Sequence, residues 1–164
     1  MLIVAERLSD LSFGKLMAVY REGNLENGQE NWPEEPEARQ IALAEQDFYQ
    51  YLSEIFFRTS GAAYLIWEEQ GKYISALRLE PYRDGLLLEA LETLPEKRRN
   101  GYAAKLVLAA LEYAGRQNVY SHVSRKNVPS LRTHEKCGFQ KILNHAVYAD
   151  GSVNSRCVTF CSGK

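Results

Sequence analysis

The stretch PEKRRNGYAAKL, residues 95–106, sets Arg98, Arg99, Asn100 and Gly101 where an amphipathic helix should begin. First turns ordinarily favour acidic side chains, because the helix N-terminus carries partial positive charge. Cations placed there instead invite an anion. The first-turn N–H groups lack intrahelical acceptors, Gly101 lets a ligand approach the backbone, and Arg98 and Arg99 add charge. These residue types in this order describe a pyrophosphate cradle, with Pro95 ending the strand before it. The blander reading of the same residues is a solvated basic turn. Neither GxxxxGK[ST] nor GxGxxG occurs in the chain, so a P-loop or a Rossmann dinucleotide site has no support.

A cradle needs a strand before it and a helix after it, and both are legible. LLLEALETL alternates with the strand period, so Leu87, Glu89, Leu91 and Thr93 are expected on one face and Leu88, Ala90 and Glu92 on the other. Ala103, Leu106, Val107, Ala110, Leu111 and Ala114 mark a long amphipathic helix ending at Gly115. VYSHVS follows as a short strand, then NVPSLRTHEKCGF as a short helix, N-capped by Asn127 and stopped at Gly138.

Upstream, LIVA reads as a strand. SDLSFGKLMAVYREGN reads as a helix begun by Ser9 or Asp10, with Leu11, Leu16 and Tyr20 at helical spacing. Residues 22–37 carry six glutamates, Asn27-Gly28 and two prolines, and are expected to form a long surface loop. Residues 37–58 resume a helix with a broad apolar side. AAYLIWEE and KYISALRLE, separated by Gln70-Gly71, form a hairpin that a turn at Arg83-Asp84-Gly85 extends into a meander. FQKILNHAVY and VNSRCVTFC, around Asp150-Gly151, are expected to close the chain as a hairpin of two longer strands. The central strand, helix, strand passage requires a right-handed crossover and one parallel pair among antiparallel strands.

At 164 residues the chain suits a single domain over residues 1–164, and a content of 45% apolar and 25% charged residues is ordinary for a globular protein. No apolar run approaches a membrane span, and the start MLIVAERLSD lacks the features of a signal peptide. A cytoplasmic location and no membrane partner are expected. A net charge of −1 argues against a globally basic nucleic-acid binder. Cys137, Cys157 and Cys161 are odd in number and lack a paired CxxC, and His122, His134 and His145 are scattered, so neither a disulfide framework nor a metal site is indicated.

Two motifs in order carry a resemblance to a known family. RRNGYA resembles the R/Q-x-x-G-x-G/A signature of the GNAT superfamily of N-acetyltransferases, with Arg98, Gly101 and Ala103 at its three positions. SRKNVPSLRTHEKCGF resembles that superfamily's downstream run, filled here by Asn127, Ser130, His134, Gly138 and Phe139. The resemblance covers residues 86–139, and residues 1–58 carry no motif of their own. It implies a mixed α/β (α+β) three-layer fold. A mostly antiparallel, twisted sheet of about seven strands would carry helices on both faces, its one parallel pair splayed around the cofactor.

It also implies acetyl-CoA as cosubstrate and no metal. Leu91, Glu92 and Thr93 would bond the pantetheine arm through their backbone, and Arg99, Asn100, Gly101, Tyr102, Ala103 and Ala104 would hold the pyrophosphate. A backbone N–H near Leu91 would meet the acetyl carbonyl, and Asn127 would reach the cofactor's arm. An amine must lose a proton to attack a thioester. Glu89, read on the same face as Leu91 and Thr93, is the first candidate base, and His122 is the second. The leaving thiolate needs a proton, and His134 stands where many members have a tyrosine. Tyr148 and Tyr102 are alternatives, and Cys137 is a packing residue rather than a nucleophile. The acceptor would be a primary amine of a small molecule or an amino terminus, and the protein a monomer or homodimer. Two other readings are a catalytically silent CoA-binding or sensor module, and an interaction domain using Arg98, Arg99, Arg125 and Lys126 as a basic patch.

Overall fold

Runs of aromatic and β-branched residues form the strands of the computed structural model, which describes residues 1–163. The elements in chain order are β1 (Leu2–Ala5), α1 (Phe13–Val19), α2 (Arg21–Asn31), α3 (Glu37–Glu54), β2 (Ala63–Glu69), β3 (Lys72–Tyr82) and β4 (Gly85–Thr93). Then come α4 (Tyr102–Ala114), β5 (Asn118–Ser124), α5 (Val128–Lys136), β6 (Gln140–Leu143), β7 (Ala146–Val147), β8 (Val153–Asn154) and β9 (Cys157–Cys161). Seven strands make one sheet in the order β1-β2-β3-β4-β5-β9-β6, and β7 and β8 pair separately. Among the described residues of the large sheet only β4 and β5 run parallel, as the crossover through α4 requires.

Period-2 alternation splits the strand side chains between two cores. On one face Leu77, Leu79, Leu88 and Val119 pack with Leu106, Val107 and Ala110 of α4. On the other, Tyr64, Ile66, Ile74 and Ala76 pack with Leu16, Val19 and Tyr20 at α1 and with Leu52 of α3. The molecule is a three-layer α/β structure with helices on both faces of a mostly antiparallel sheet, as the motifs imply.

Three expectations are corrected. The acidic stretch after Glu22 is not a loop: Arg21–Asn31 is helical, and only the short link to α3 is irregular. Asn27-Gly28, which reads as a turn in sequence, is a close helix crossing. A Cβ on Gly28 would lie 2.6 Å from the Gln40 carbonyl oxygen of α3. The first helix begins after Ser12 and breaks at Tyr20, rather than running unbroken from Ser9 or Asp10. Finally, residues 140–161 give four strands instead of two. β6 and β9 join the large sheet, and β7 with β8 forms a small flap ahead of β9.

Candidate active site

The parallel pair opens into a cleft. β4 and β5 are in register only from Gly85 with Asn118 to Leu88 with Ser121, where the Ser121 hydroxyl also donates to the Leu88 carbonyl at 3.2 Å. Beyond that point the strands separate. A cleft of about 1070 Å³ lies at the separation, walled by the end of β4, the start of α4 and the exposed side of α5. Leu91, Glu92, Thr93, Arg98, Arg99, Gly101, Tyr102, Ala103, Ala104, Asn127 and Ser130 all line it. Of the cofactor residues expected from sequence, Asn100 alone does not. Its side chain turns back to donate to the Lys97 and Arg98 carbonyls.

The floor of the cleft is backbone. Arg99 at φ +62° and Gly101 at φ +83° flank Asn100 in left-handed conformations, which turns the chain sharply into α4. The N–H groups of residues 99–104 have no acceptor among the described residues. A row of free N–H groups at a helix N-terminus fits a phosphate. Apart from Gly101 itself and the two residues adjoining it, no described atom lies within 4 Å of a Cβ placed there, so the residue is required by its φ and by the approach it leaves open.

Arg98 is not a free cation. Its Nε donates to the Thr93 carbonyl at 3.2 Å, and one guanidinium nitrogen meets Glu22 at 2.6 Å and Glu92 at 3.6 Å. It ties α2 to the end of β4. Sequence reasoning missed Lys97, Thr133 and Lys136, which also line the cleft. Neither Lys97 nor Lys136, nor Arg99, has an ion-pair partner among the described residues. Pro129, Thr133 and Lys136 recur at helical spacing on α5, a stripe that was legible in the sequence.

The strand alternation predicted for β4 fails at one point. Ala76 pairs with Glu92 and Arg78 with Glu89, so Leu77 alone faces both Ala90 and Leu91. This is a β-bulge, and Ala90 adopts φ +51° within it. One inserted residue reverses every following side chain. Glu89 therefore does not share a face with Leu91 and Thr93. Leu91 packs toward α4, and Glu89 faces the α1 and α3 side. There its carboxylate stands 3.6 Å from Arg78, whose guanidinium lies 4.8 Å from the Tyr51 ring centre. Burial, with Glu80 nearby, raises the Glu89 pKa to about 7 against the pull of Arg78.

His122 stands on the same face one strand over, edge-on to Tyr82 and Tyr148. The Tyr82 hydroxyl donates to the Val147 carbonyl of β7. The 3.4 Å contact between His122 Nε2 and Tyr82 is thus assigned with Nε2–H as donor. Nδ1, buried and without partner among the described residues, is the atom left to accept a proton. Burial and then Arg83 lower the His122 pKa, which keeps the ring neutral at neutral pH.

His134 is placed differently from its sequence expectation. It is 1% exposed, stacked against Phe160 and edge-on to Phe139, and it does not line the cleft. Nδ1 lies 2.8 Å from the Ser130 carbonyl and must be the protonated nitrogen, so Nε2 has neither proton nor partner among the described residues. Burial lowers its pKa. Asn127 caps α5 by accepting from the Ser130 N–H at 3.2 Å. The Tyr102 hydroxyl is held by Glu69 at 2.7 Å, and Cys137 is buried.

Residues 21–139 match the acetyltransferase (GNAT) family. The chain belongs to that family. It is an acyltransferase by that membership, and the matched segment contains the splayed strand, the cradle and α5. No curated protein sequence matches the chain. Among solved structures, PaiA N-acetyltransferase from Thermoplasma acidophilum, determined in complex with coenzyme A, is 15% identical with a TM-score of 0.63, covering 100% of this chain and 99% of that one. A mutant of the spermidine N-acetyltransferase SpeG from Vibrio cholerae is 19% identical with a TM-score of 0.62, over 98% and 93% of the two chains. An acyl-CoA N-acyltransferase from Pseudomonas aeruginosa is 14% identical with a TM-score of 0.58, over 98% and 97%. At these identities the likeness is one of fold. No helix among the described residues is long and apolar enough to cross a membrane.

Proposed function

We propose that the chain transfers an acetyl group from acetyl-CoA directly to a primary amine of a small molecule or an amino terminus. The observation that carries this reading is the row of N–H groups of residues 99–104, free among the described residues, on the floor of a cleft opened by the splay of β4 and β5. Such a row fits the pyrophosphate of coenzyme A, and Lys97, Arg99 and Lys136 suit its further charge. The cosubstrate supplies an activated thioester; the protein need only orient it, stabilise charge and move protons.

The bulge at Ala90 supports a division of labour. Leu91 faces the cleft, so its N–H can meet the acetyl carbonyl as negative charge develops there. Glu89 faces the opposite side, where an amine can approach. A carboxyl with a pKa of about 7 is ionised enough at neutral pH to accept the amine's proton, directly or through water. His122, neutral and on the same face, is the second base. With its Nδ1 proton held by Ser130 and its ring off the cleft wall, His134 packs α5 against β9.

The test pairs calorimetry with acetyl-CoA and a thiol-release assay against a panel of primary amines. Spermidine is a rational first member, given the named activity of the Vibrio cholerae relative. Micromolar or tighter binding with turnover on some amine supports the reading, and failure of both overturns it. Tight binding with no turnover on any amine would select the second reading, a silent CoA-binding or sensor module, which the buried His134 favours.

A further inference from the structure

We infer that Tyr20 is a positioning residue for acetyl transfer: its hydroxyl fixes the Ala90–Leu91 peptide so that the Leu91 N–H is held toward the cleft. The inference rests on the proposed reading in which that N–H meets the acetyl carbonyl. Tyr20 stands at the joint between α1 and α2, is 5% exposed, and donates its hydroxyl to the Ala90 carbonyl at 2.5 Å.

The acceptor of this bond is the bulge itself. In a regular strand the carbonyl and N–H lie in the sheet and join the ladder. At Ala90 the carbonyl leaves it and points to the helix joint on the α1 face. No peptide among the described residues is cis, so the N–H of Leu91 is antiparallel to that carbonyl and points away from α1. On that side Leu91 lines the cleft.

The peptide needs such a hold. Ala90 at φ +51° occupies a region that residues with a Cβ avoid, and such conformations persist only where the surroundings fix them. The Tyr20 ring is itself immobilised, 5.1 Å from Phe48 and edge-on to Tyr64 at 6.3 Å. Burial raises its pKa well above the usual value, so the hydroxyl keeps its proton at any working pH. Tyr73 offers a matched control, because it is also 5% exposed and its hydroxyl is engaged elsewhere, accepting from the Ser12 N–H at 2.9 Å.

The test compares Tyr20→Phe and Tyr73→Phe in the full chain. Thiol release gives kcat, calorimetry gives the acetyl-CoA Kd, and an amide spectrum follows the Leu91 N–H during titration with acetyl-CoA. Tyr20→Phe is expected to lower kcat about tenfold or more, short of losing an oxyanion donor outright, with Kd within about twofold and a reduced Leu91 shift. Tyr73→Phe should keep kcat. A Tyr20→Phe kcat within about twofold of the parent, or an equal fall in Tyr73→Phe, overturns the inference. If Tyr20→Phe does not fold, the double variant Tyr20→Phe, Ala90→Gly is compared with Ala90→Gly alone, the glycine relieving the positive φ; the same tenfold fall is expected and its absence overturns the inference. The underlying reading fails separately: if acetyl-CoA binds the unmodified protein without moving the Leu91 amide, that N–H meets no carbonyl, and the role of Tyr20 falls with it.

Discussion

Arg78 and Glu89 face each other across β3 and β4 with 3.6 Å between Nη2 and Oε2, yet the pair does not keep the carboxylate in the usual acidic range. Burial dominates, Glu80 adds to it, and Glu89 is raised to about 7. Arg78 spreads its charge over the Tyr51 and Phe56 rings, at 4.8 and 5.8 Å, and its Nε is buried without a partner among the described residues. The result is a proton acceptor near neutrality beside a cation that stops it from becoming a fixed acid.

Glu89→Gln should lower kcat/KM by about a hundredfold or more, within the range for a lost general base, and remove a rising limb centred near pH 7. The same residue has a stability readout. Its folded pKa exceeds the unfolded value, so the stability it contributes is fully present below about 4.5 and is lost as pH rises through about 7. The Tm of Glu89→Gln relative to the parent should therefore climb between pH 5 and pH 8. A flat difference in differential scanning calorimetry would deny the raised pKa.

Gly101→Asp puts a Cβ at φ +83° and a carboxylate among the N–H groups proposed to hold a phosphate. The acetyl-CoA Kd should weaken tenfold or more, which is about 1.4 kcal/mol, with the circular dichroism spectrum unchanged. Undiminished affinity by calorimetry would remove the cradle from the site.

Gly28→Ala sets two effects against each other. Alanine favours a helix interior by roughly 1 kcal/mol over glycine, but its Cβ would lie 2.6 Å from the Gln40 backbone oxygen, which cannot rotate away. Overpacking should win, with a net loss of about 1–3 kcal/mol in urea denaturation. A stabilised variant would show that α2 and α3 pack less closely than the structure has them.

His134→Ala should cost roughly 2–4 kcal/mol, because it empties a site packed between Phe139 and Phe160. The kcat of the folded protein should stay within about twofold. A large fall in kcat without a fall in Tm would restore His134 as the proton donor.

The turn into α4 was readable because its elements are local. Arg98, Gly101 and Ala103 lie in one short stretch, and a helix start is fixed by the residues adjoining it. α2 was misread because helices that pack through small residues carry no apolar stripe. Asn24 and Gly28 are its buried positions, and both are turn formers by composition. The flap of β7 and β8 was missed because strands of two residues leave no period to detect.

The sequence by itself determined most of the order of strands and helices, the parallel crossover and the start of α4, since each depends on period, caps and nearest neighbours. Only the tertiary structure decided what faces what. The bulge exists because Leu77 opposes two residues of β4, a fact of register between strands. That register sends Glu89 and Leu91 to opposite faces. It also brings Tyr20, 70 positions away in the chain, to the Ala90 carbonyl. Partners and burial are set by packing between distant segments, so the pKa of Glu89 and the tautomer of His134 could not be read from residue types alone.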